Sequence, residues 1–125
     1  MKQMMEDDLT RILELAREAK MTLMISGTHT RSFEDKIDIN KKIAFDFLTD
    51  VEVQAKTGEL NPEIELKMNE VEKSLHSLPP PQKAPAFVCV SNYKSCKSEA
   101  ESLEEKVLCC IALTICLAKE VIPLA

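Results

Sequence analysis

The stretch VLCCIALTICLA, from Val107 to Ala118, is the longest apolar run of the chain, and Lys106 and Lys119 flank it. A helix that crosses a membrane needs about 20 apolar residues, so this run is too short to span one. A helix that is apolar on every side is surrounded by protein. The run therefore predicts either the central helix of a bundle or a helix that a second chain covers.

The residues around this run predict where its helix begins and ends. Ser98 with Glu101 three residues later has the pattern of a capping box, which starts a helix. Pro123 lies where the helix should stop, because proline cannot continue one. We expect the last helix to extend from Glu99 to about Val121.

The composition of the whole chain favours long helices over sheets. Its 125 residues are 45% apolar and 30% charged, which is typical of a globular protein, and we expect one domain over residues 1–125. Gly27 and Gly58 are the only glycines. Sheets need many tight turns, and glycine is the usual residue at positive φ. The sequence therefore predicts an all-α bundle of about four helices.

Two helices are predicted in the first half. The first begins at Asp7 or Asp8 and ends near Ile25, with Gly27 as its stop. The second begins after a cap at Ser32 and ends at Gly58. Residues 36–45 also alternate between apolar and polar side chains, as a strand would. Helix is favoured there, because the Asn40-Lys41 pair lacks the glycine that a tight hairpin turn usually needs.

The third helix has the clearest signals. Asn61 is a good N-cap residue, and Pro62 fits the first helical position. Apolar residues then follow at helical spacing, namely Ile64, Met68, Val71, Leu75 and Leu78. The prolines at 79, 80 and 81 predict the end of this helix and a stiff, extended crossover from Leu78 to Pro85. Residues 86–90 are compatible with strand, extended chain or helix.

All five cysteines lie in the last third of the chain: Cys89, Cys96, Cys109, Cys110 and Cys116. The favoured interpretation is that those of the last helix are free thiols buried in the core. Disulfides are the alternative. Cys109 and Cys116 are about 10.5 Å apart along a helix, which is too far for a bridge. Cys109 and Cys110 are adjacent and point about 100° apart, so they cannot easily bridge each other. Any bridge must therefore use Cys89 or Cys96. Zinc sites usually pair cysteines two to four residues apart, and these intervals do not match.

Catalytic motifs are absent from the sequence. His29 and His76 are the only histidines. The favoured interpretation of His29 is an exposed loop residue, and that of His76 is a cation near the end of a helix. Two glycines cannot build a phosphate loop, and no nucleophile elbow or H-E-x-x-H pair is present. We therefore expect no catalytic, cofactor-binding or metal-binding residue and no enzyme activity.

The net charge of −5 and the lack of a basic run exclude the usual footprint of proteins that bind nucleic acid or anionic membranes. The expected function is a non-enzymatic helical interaction module or small oligomeric protein, with a protein partner or self-association as a homodimer. One alternative is an acidic inhibitor or immunity-type protein that masks a basic toxin or nuclease. Another is a cysteine-based redox or metal-handling protein. The amino-terminal residues have no secretory signal, so the cytoplasm is the expected location.

Overall fold

The computed structural model describes residues 2–25, 34–78 and 80–122, with side chains described from Asp8 in the first range and from Ile39 in the second. This part of the chain contains no strand, and the all-α bundle predicted from the sequence is confirmed. Its helices are α1 (Lys2–Ile25), α2 (Glu34–Thr57), α3 (Ile64–Leu75), α4 (Pro80–Glu99) and α5 (Leu103–Cys116), and a wide π-helical turn, Leu117–Val121, continues α5.

The first helix is described as far as Ile25, near which its end is predicted, and it begins earlier than predicted. α1 starts at Lys2, so the acidic residues 6–8 lie within the helix rather than at its start. Methionine, lysine, glutamine and glutamate are all good helix formers, which explains the longer helix. Gly27, the predicted stop, lies outside the described residues.

Residues 36–45 are helical, and the strand alternative is wrong. Asn40, Ala44 and Phe47 are buried at spacings of four and three, which is the period of a helix. Ser32, the predicted cap, lies outside the described residues. Gly58 ends α2 as predicted and has φ +89°, a conformation that side chains other than glycine rarely adopt.

The regular third helix has Glu63 at its N-cap position, without a side-chain hydrogen bond, and the turn just before it is closed by the predicted cap, Asn61. Its Oδ1 accepts a hydrogen bond from the Glu63 backbone N–H at 2.9 Å, and its carbonyl accepts one from the Ile64 N–H at 2.9 Å. The regular helix begins at Ile64 and carries the expected buried stripe, Ile64, Met68, Val71 and Leu75.

The predicted proline-rich crossover from Leu78 to Pro85 is wrong, because α4 begins at Pro80. Pro80 and Pro81 occupy the first turn of α4, where a backbone N–H has no partner within the helix in any case. Pro85 lies inside the helix, where it costs one backbone hydrogen bond. The structure has five helices in its described part instead of about four because residues 80–99 are helical.

The last helix begins four residues later than predicted. Ser98 lies near the end of α4, and its hydroxyl donates to the Ser95 carbonyl at 2.8 Å. The capping residue of α5 is Ser102, whose Oγ accepts a hydrogen bond from the Glu105 N–H at 3.2 Å. The carboxylate of Glu105 in turn accepts the Glu101 N–H at 2.6 Å. The helix therefore begins at a second serine followed by glutamate three residues later, which was not predicted from the sequence, and the glutamate bonds to the residue before the cap.

α5 lies at the centre of the bundle, as its apolar sequence predicts. It packs mainly against α1 and α4 and also contacts α2 and α3. α5 and the π-helical turn bury residues with apolar or small side chains, namely Val107, Cys109, Cys110, Ile111, Leu113, Thr114, Leu117, Ala118 and Val121. None of the helices that the structure describes has the length and apolarity needed to cross a membrane.

Candidate functional site

Two disulfides join α4 to the last helix and its continuation. Cys89 bonds to Cys116 and Cys96 bonds to Cys109, with Cα–Cα distances of 5.9 and 5.7 Å. The prediction of free thiols at Cys109 and Cys116 is wrong. The disulfide alternative is the one observed, and each bridge uses Cys89 or Cys96 as the helical geometry required. The expectation of free thiols failed because residues 80–98 were not expected to form a helix that runs beside α5.

The two bridges form a ladder across an antiparallel helical hairpin. The connection between α4 and α5 is short, residues 100–102. The cysteines are seven residues apart on each helix, so each pair spans about two turns and projects from nearly the same face. This spacing places both bridges along one seam and fixes the register of the hairpin.

Cys110 is the remaining cysteine, and it is free and buried. Burial raises the pKa of its thiol well above the ordinary range, and burial also raises the pKa of the neighbouring Tyr93 hydroxyl. Because the thiolate is the reactive form, this cysteine is chemically inert in the folded chain. The predicted buried thiol is therefore confirmed at Cys110.

A groove of about 280 Å³ runs along the outer side of the disulfide seam. Ala112 and Asn92 are exposed at its rim, one on each helix of the hairpin. Its lining carries no charged side chain and consists of Cys89, Asn92, Tyr93, Cys96, Cys109, Ala112, Leu113 and Cys116. The groove is suited to contact with apolar or uncharged groups.

The groove belongs to a larger uncharged surface, which we call the hairpin face. On α5 it consists of Leu108, Ala112 and Ile115, and on α4 it consists of Val88, Asn92 and Ser95. The members on each helix follow at spacings of three and four, so they share one side of that helix. Ala112 and the three α4 residues are exposed, whereas Leu108 and Ile115 are half-buried. The bundle thus covers most of α5 but leaves this strip open.

Two other depressions lie elsewhere on the molecule. One, at the α2–α3 turn, is bordered by Gln54 and Asn61, whose side-chain oxygen and backbone N–H form a 2.7 Å hydrogen bond. This depression results from the hydrogen bond that closes the α2–α3 turn. The other lies between α1 and α2, is lined by Leu23, Met24 and Phe45, and has Lys41 and Lys42 at its edge. Neither contains a cluster of groups suited to catalysis.

The histidines and cysteines do not assemble a reactive site in the described structure. His76 is exposed at the carboxyl end of α3, as predicted, and His29 lies outside the described residues. The residues that the structure describes contain no group of three or more side chains suited to a metal ion. The two disulfides occupy four of the five cysteine sulfur atoms, which leaves no pair of thiols for a metal.

One signal in the sequence points to the disulfide ladder. Cys89 and Cys96 have the same separation as Cys109 and Cys116. Equal spacing on two helices is what two parallel bridges across an antiparallel pair require, but it has this meaning only once both segments are known to be helical.

Comparison with protein-family models, curated proteins and solved structures finds no match to this chain.

Proposed function

We propose that this protein is a non-enzymatic helical interaction module that binds a protein partner, or a second copy of itself, through the hairpin face. The observation that supports the proposal is the open strip on α5. This helix carries the longest apolar run of the chain, and Ala112 at its middle is exposed between two half-buried residues, Leu108 and Ile115. An apolar helix gains free energy when such a strip is covered.

The chemistry of the hairpin face is that of the central part of a protein interface. Charged residues are depleted at the cores of interfaces, and this face has none among its six members. The two disulfides hold both helices in a fixed register. A rigid surface loses less conformational entropy when it binds, so the covalent bridges favour affinity.

The two alternative functions draw less support from the same surface. An inhibitor of a basic toxin needs an acidic contact surface, whereas the hairpin face is uncharged. A metal-handling protein needs free thiolates, whereas the structure leaves only the buried Cys110 unbonded.

The cytoplasmic location remains a prediction, and the disulfides favour a different compartment. Structural disulfides persist in oxidising compartments and are rare in the cytosol. We therefore propose an oxidising compartment. Alkylating thiols in intact host cells before lysis, and again in denaturant without reduction, tests this: one alkylated cysteine in total supports it, and five support the cytoplasm.

The test of the interaction function is a charge placed on the hairpin face. Ala112→Arg adds a long charged side chain at an exposed position and leaves the core intact. Asn69→Arg, at an exposed position of α3, is the matched control. Sedimentation velocity measures self-association, and crosslinking in the host followed by mass spectrometry measures bound partners. We expect Ala112→Arg to lose an association that wild type and Asn69→Arg retain. Identical behaviour of all three chains in both assays would overturn the proposal.

A further inference from the structure

We infer that the occupant of the hairpin face is a second copy of this chain, bound so that the two α5 helices are antiparallel about a twofold axis at Ala112. The inference rests on the proposed function and specifies its partner. Most closed assemblies of identical chains are twofold dimers, in which the same surface of each copy forms the contact. The sequence of α5 carries three properties that such a contact requires.

The first property is charge complementarity. Glu105 and Lys119 are both exposed, and they lie seven residues before and seven residues after Ala112. A twofold axis at Ala112 places each residue opposite the one at the same distance on the other side. Glu105 therefore lies opposite Lys119 of the partner subunit, and the same pair forms again at the other end. Glu105 in the first turn of α5 and Lys119 in the π-helical turn, which lie beyond the two ends of the uncharged hairpin face, are thus complementary in charge across the antiparallel pair.

The second property is a small residue at the centre. The distance between packed helices depends on the side chains at their contact, and an alanine there permits a close approach.

The third property is the uncharged stretch between the charged ends. Leu108 and Ile115 lie on either side of Ala112, so the antiparallel contact buries apolar groups between the two ion pairs.

The same charges disfavour a parallel arrangement. In a parallel pair Glu105 faces Glu105 of the partner subunit and Lys119 faces Lys119 of the partner subunit, and like charges repel. The Glu105 carboxylate remains available for a partner in the antiparallel pair, because only its Oε2 atom accepts the Glu101 N–H. The hydrogen bond in the cap therefore orients the Glu105 side chain and uses only one of its two carboxylate oxygens.

Charge reversal tests the register. Lys119→Glu alone places a glutamate opposite Glu105 of the partner subunit at both ends and so replaces two attractive pairs with two repulsive ones. We therefore expect about tenfold weaker dimerisation. The double variant Glu105→Lys/Lys119→Glu restores both pairs and is expected to dimerise within about threefold of wild type, on the same basis. Dissociation constants from sedimentation equilibrium, at low and high salt, give the readout.

A fold control accompanies these variants because Glu105 also caps α5. Glu105→Gln retains a side-chain oxygen that accepts the Glu101 N–H, and circular dichroism with thermal unfolding shows whether each variant is folded. A single variant as tight as wild type, or a double variant no tighter than the single one, would overturn the antiparallel register.

The failure of this inference differs from the failure of the proposed function. If wild type remains monomeric at the highest soluble concentration while Ala112→Arg loses a host partner, the occupant is a different protein and the interaction function stands. If wild type is monomeric and Ala112→Arg loses nothing, both are overturned. Dimerisation that Ala112→Arg abolishes, that Lys119→Glu weakens and that the double charge reversal recovers supports both.

Discussion

Two antiparallel helix pairs, α1–α2 and α4–α5, are held together by different interactions. α1 and α2 pack through apolar stripes, and one carboxylate, Glu52 of α2, lies near two cations of α1, Arg17 at 3.2 Å and Lys20 at 3.0 Å, and near Lys56 of its own helix at 3.9 Å. α4 and α5 are joined by two disulfides. The first pair relies on noncovalent contacts along two long helices, and the second relies on covalent bonds across shorter ones.

The difference follows from the quality of the helices. α1 is rich in leucine, alanine, glutamate, lysine and methionine, which are strong helix formers. α4 contains Pro80, Pro81 and Pro85, together with valines, serines and an asparagine, which are weaker ones. A helix with weak intrinsic propensity depends on its tertiary contacts. Covalent bridges supply that support to α4.

The largest expected effect is the loss of both bridges. A disulfide that closes a loop of about 15 residues contributes about 3 kcal/mol, largely by restricting the unfolded chain. We expect the variant with alanine at Cys89, Cys96, Cys109 and Cys116 to lose at least about 3 kcal/mol of unfolding free energy, measured by urea denaturation. Reductant should destabilise wild type similarly and leave this variant unchanged. Equal unfolding free energies for the two chains would contradict the covalent account of α4–α5.

A second prediction concerns a buried amide on α4. Gln82 is fully buried, and neither its Oε1 nor its Nε2 has a hydrogen-bond partner among the described residues. A buried polar group without a partner costs about 1–3 kcal/mol, so Gln82→Met should raise the unfolding free energy by about 1 kcal/mol. The control is Gln54→Met, which removes the 2.7 Å hydrogen bond to the Asn61 N–H and should be destabilising. A loss of stability in Gln82→Met would show that its amide is satisfied in solution.

Much of the first helix pair was predictable from the sequence, because its signals are local. The stop of α2 at Gly58 follows from a residue type that acts within one turn, and so does the turn at Asn61 just after this pair. The helical stripe of α2 also agrees with its buried residues, even where a strand alternation competed with it.

The second helix pair was not predictable in the same way, because long-range contacts decide it. Three consecutive prolines favour an extended chain when only local geometry is considered, yet two of them occupy the first turn of α4. The helical state of residues 82–99 depends on packing against α5, which a local pattern does not contain. The disulfide pairing depended on that helix, and so did the groove between the two helices.

The third prediction compares the two serines that fit the box pattern. Ser102 caps α5, and Ser98 lies inside α4. Replacing an N-cap serine by alanine typically costs about 1 kcal/mol, so Ser102→Ala should lower the unfolding free energy by that amount. Ser98→Ala should change it by less than about 0.5 kcal/mol, because its hydroxyl bonds only to a carbonyl of its own helix. Equal losses in the two variants, measured by thermal unfolding, would contradict the observed start of α5.

The smallest expected effect lies in α1–α2. Its hydrogen bond to Lys20 holds the pKa of Glu52 below its ordinary value, with Arg17 adding to the effect. A carboxyl with a lowered folded-state pKa stabilises the fold above its unfolded pKa and loses that contribution as pH falls through the folded value. Exposed pairs contribute at most about 1 kcal/mol, so the loss below about pH 4.5 should be small and should disappear in Glu52→Gln.

The control for this pH dependence is Glu18→Gln, at an exposed position of α1. It should retain the acid loss that wild type shows between pH 5 and pH 3, as followed by urea denaturation at about 0.1 and 1 M salt. An acid profile unchanged in Glu52→Gln would show that the ion cluster contributes nothing to the α1–α2 contact.

The most direct test of the account is the cysteine pairing, because the groove, the hairpin face and the proposed dimer all depend on the register of α4 against α5. Free thiols are alkylated in denaturant without reduction, and tryptic peptides are then sequenced by mass spectrometry. Trypsin leaves Cys109, Cys110 and Cys116 on one peptide, 107–119, so fragment ions of the linked peptides assign the bonds. The expected result is peptide 84–94 bonded through Cys89 to Cys116, peptide 95–97 bonded through Cys96 to Cys109, and alkylation at Cys110 alone. A direct bond between Cys89 and Cys96, or a bridge to Cys110, would contradict it.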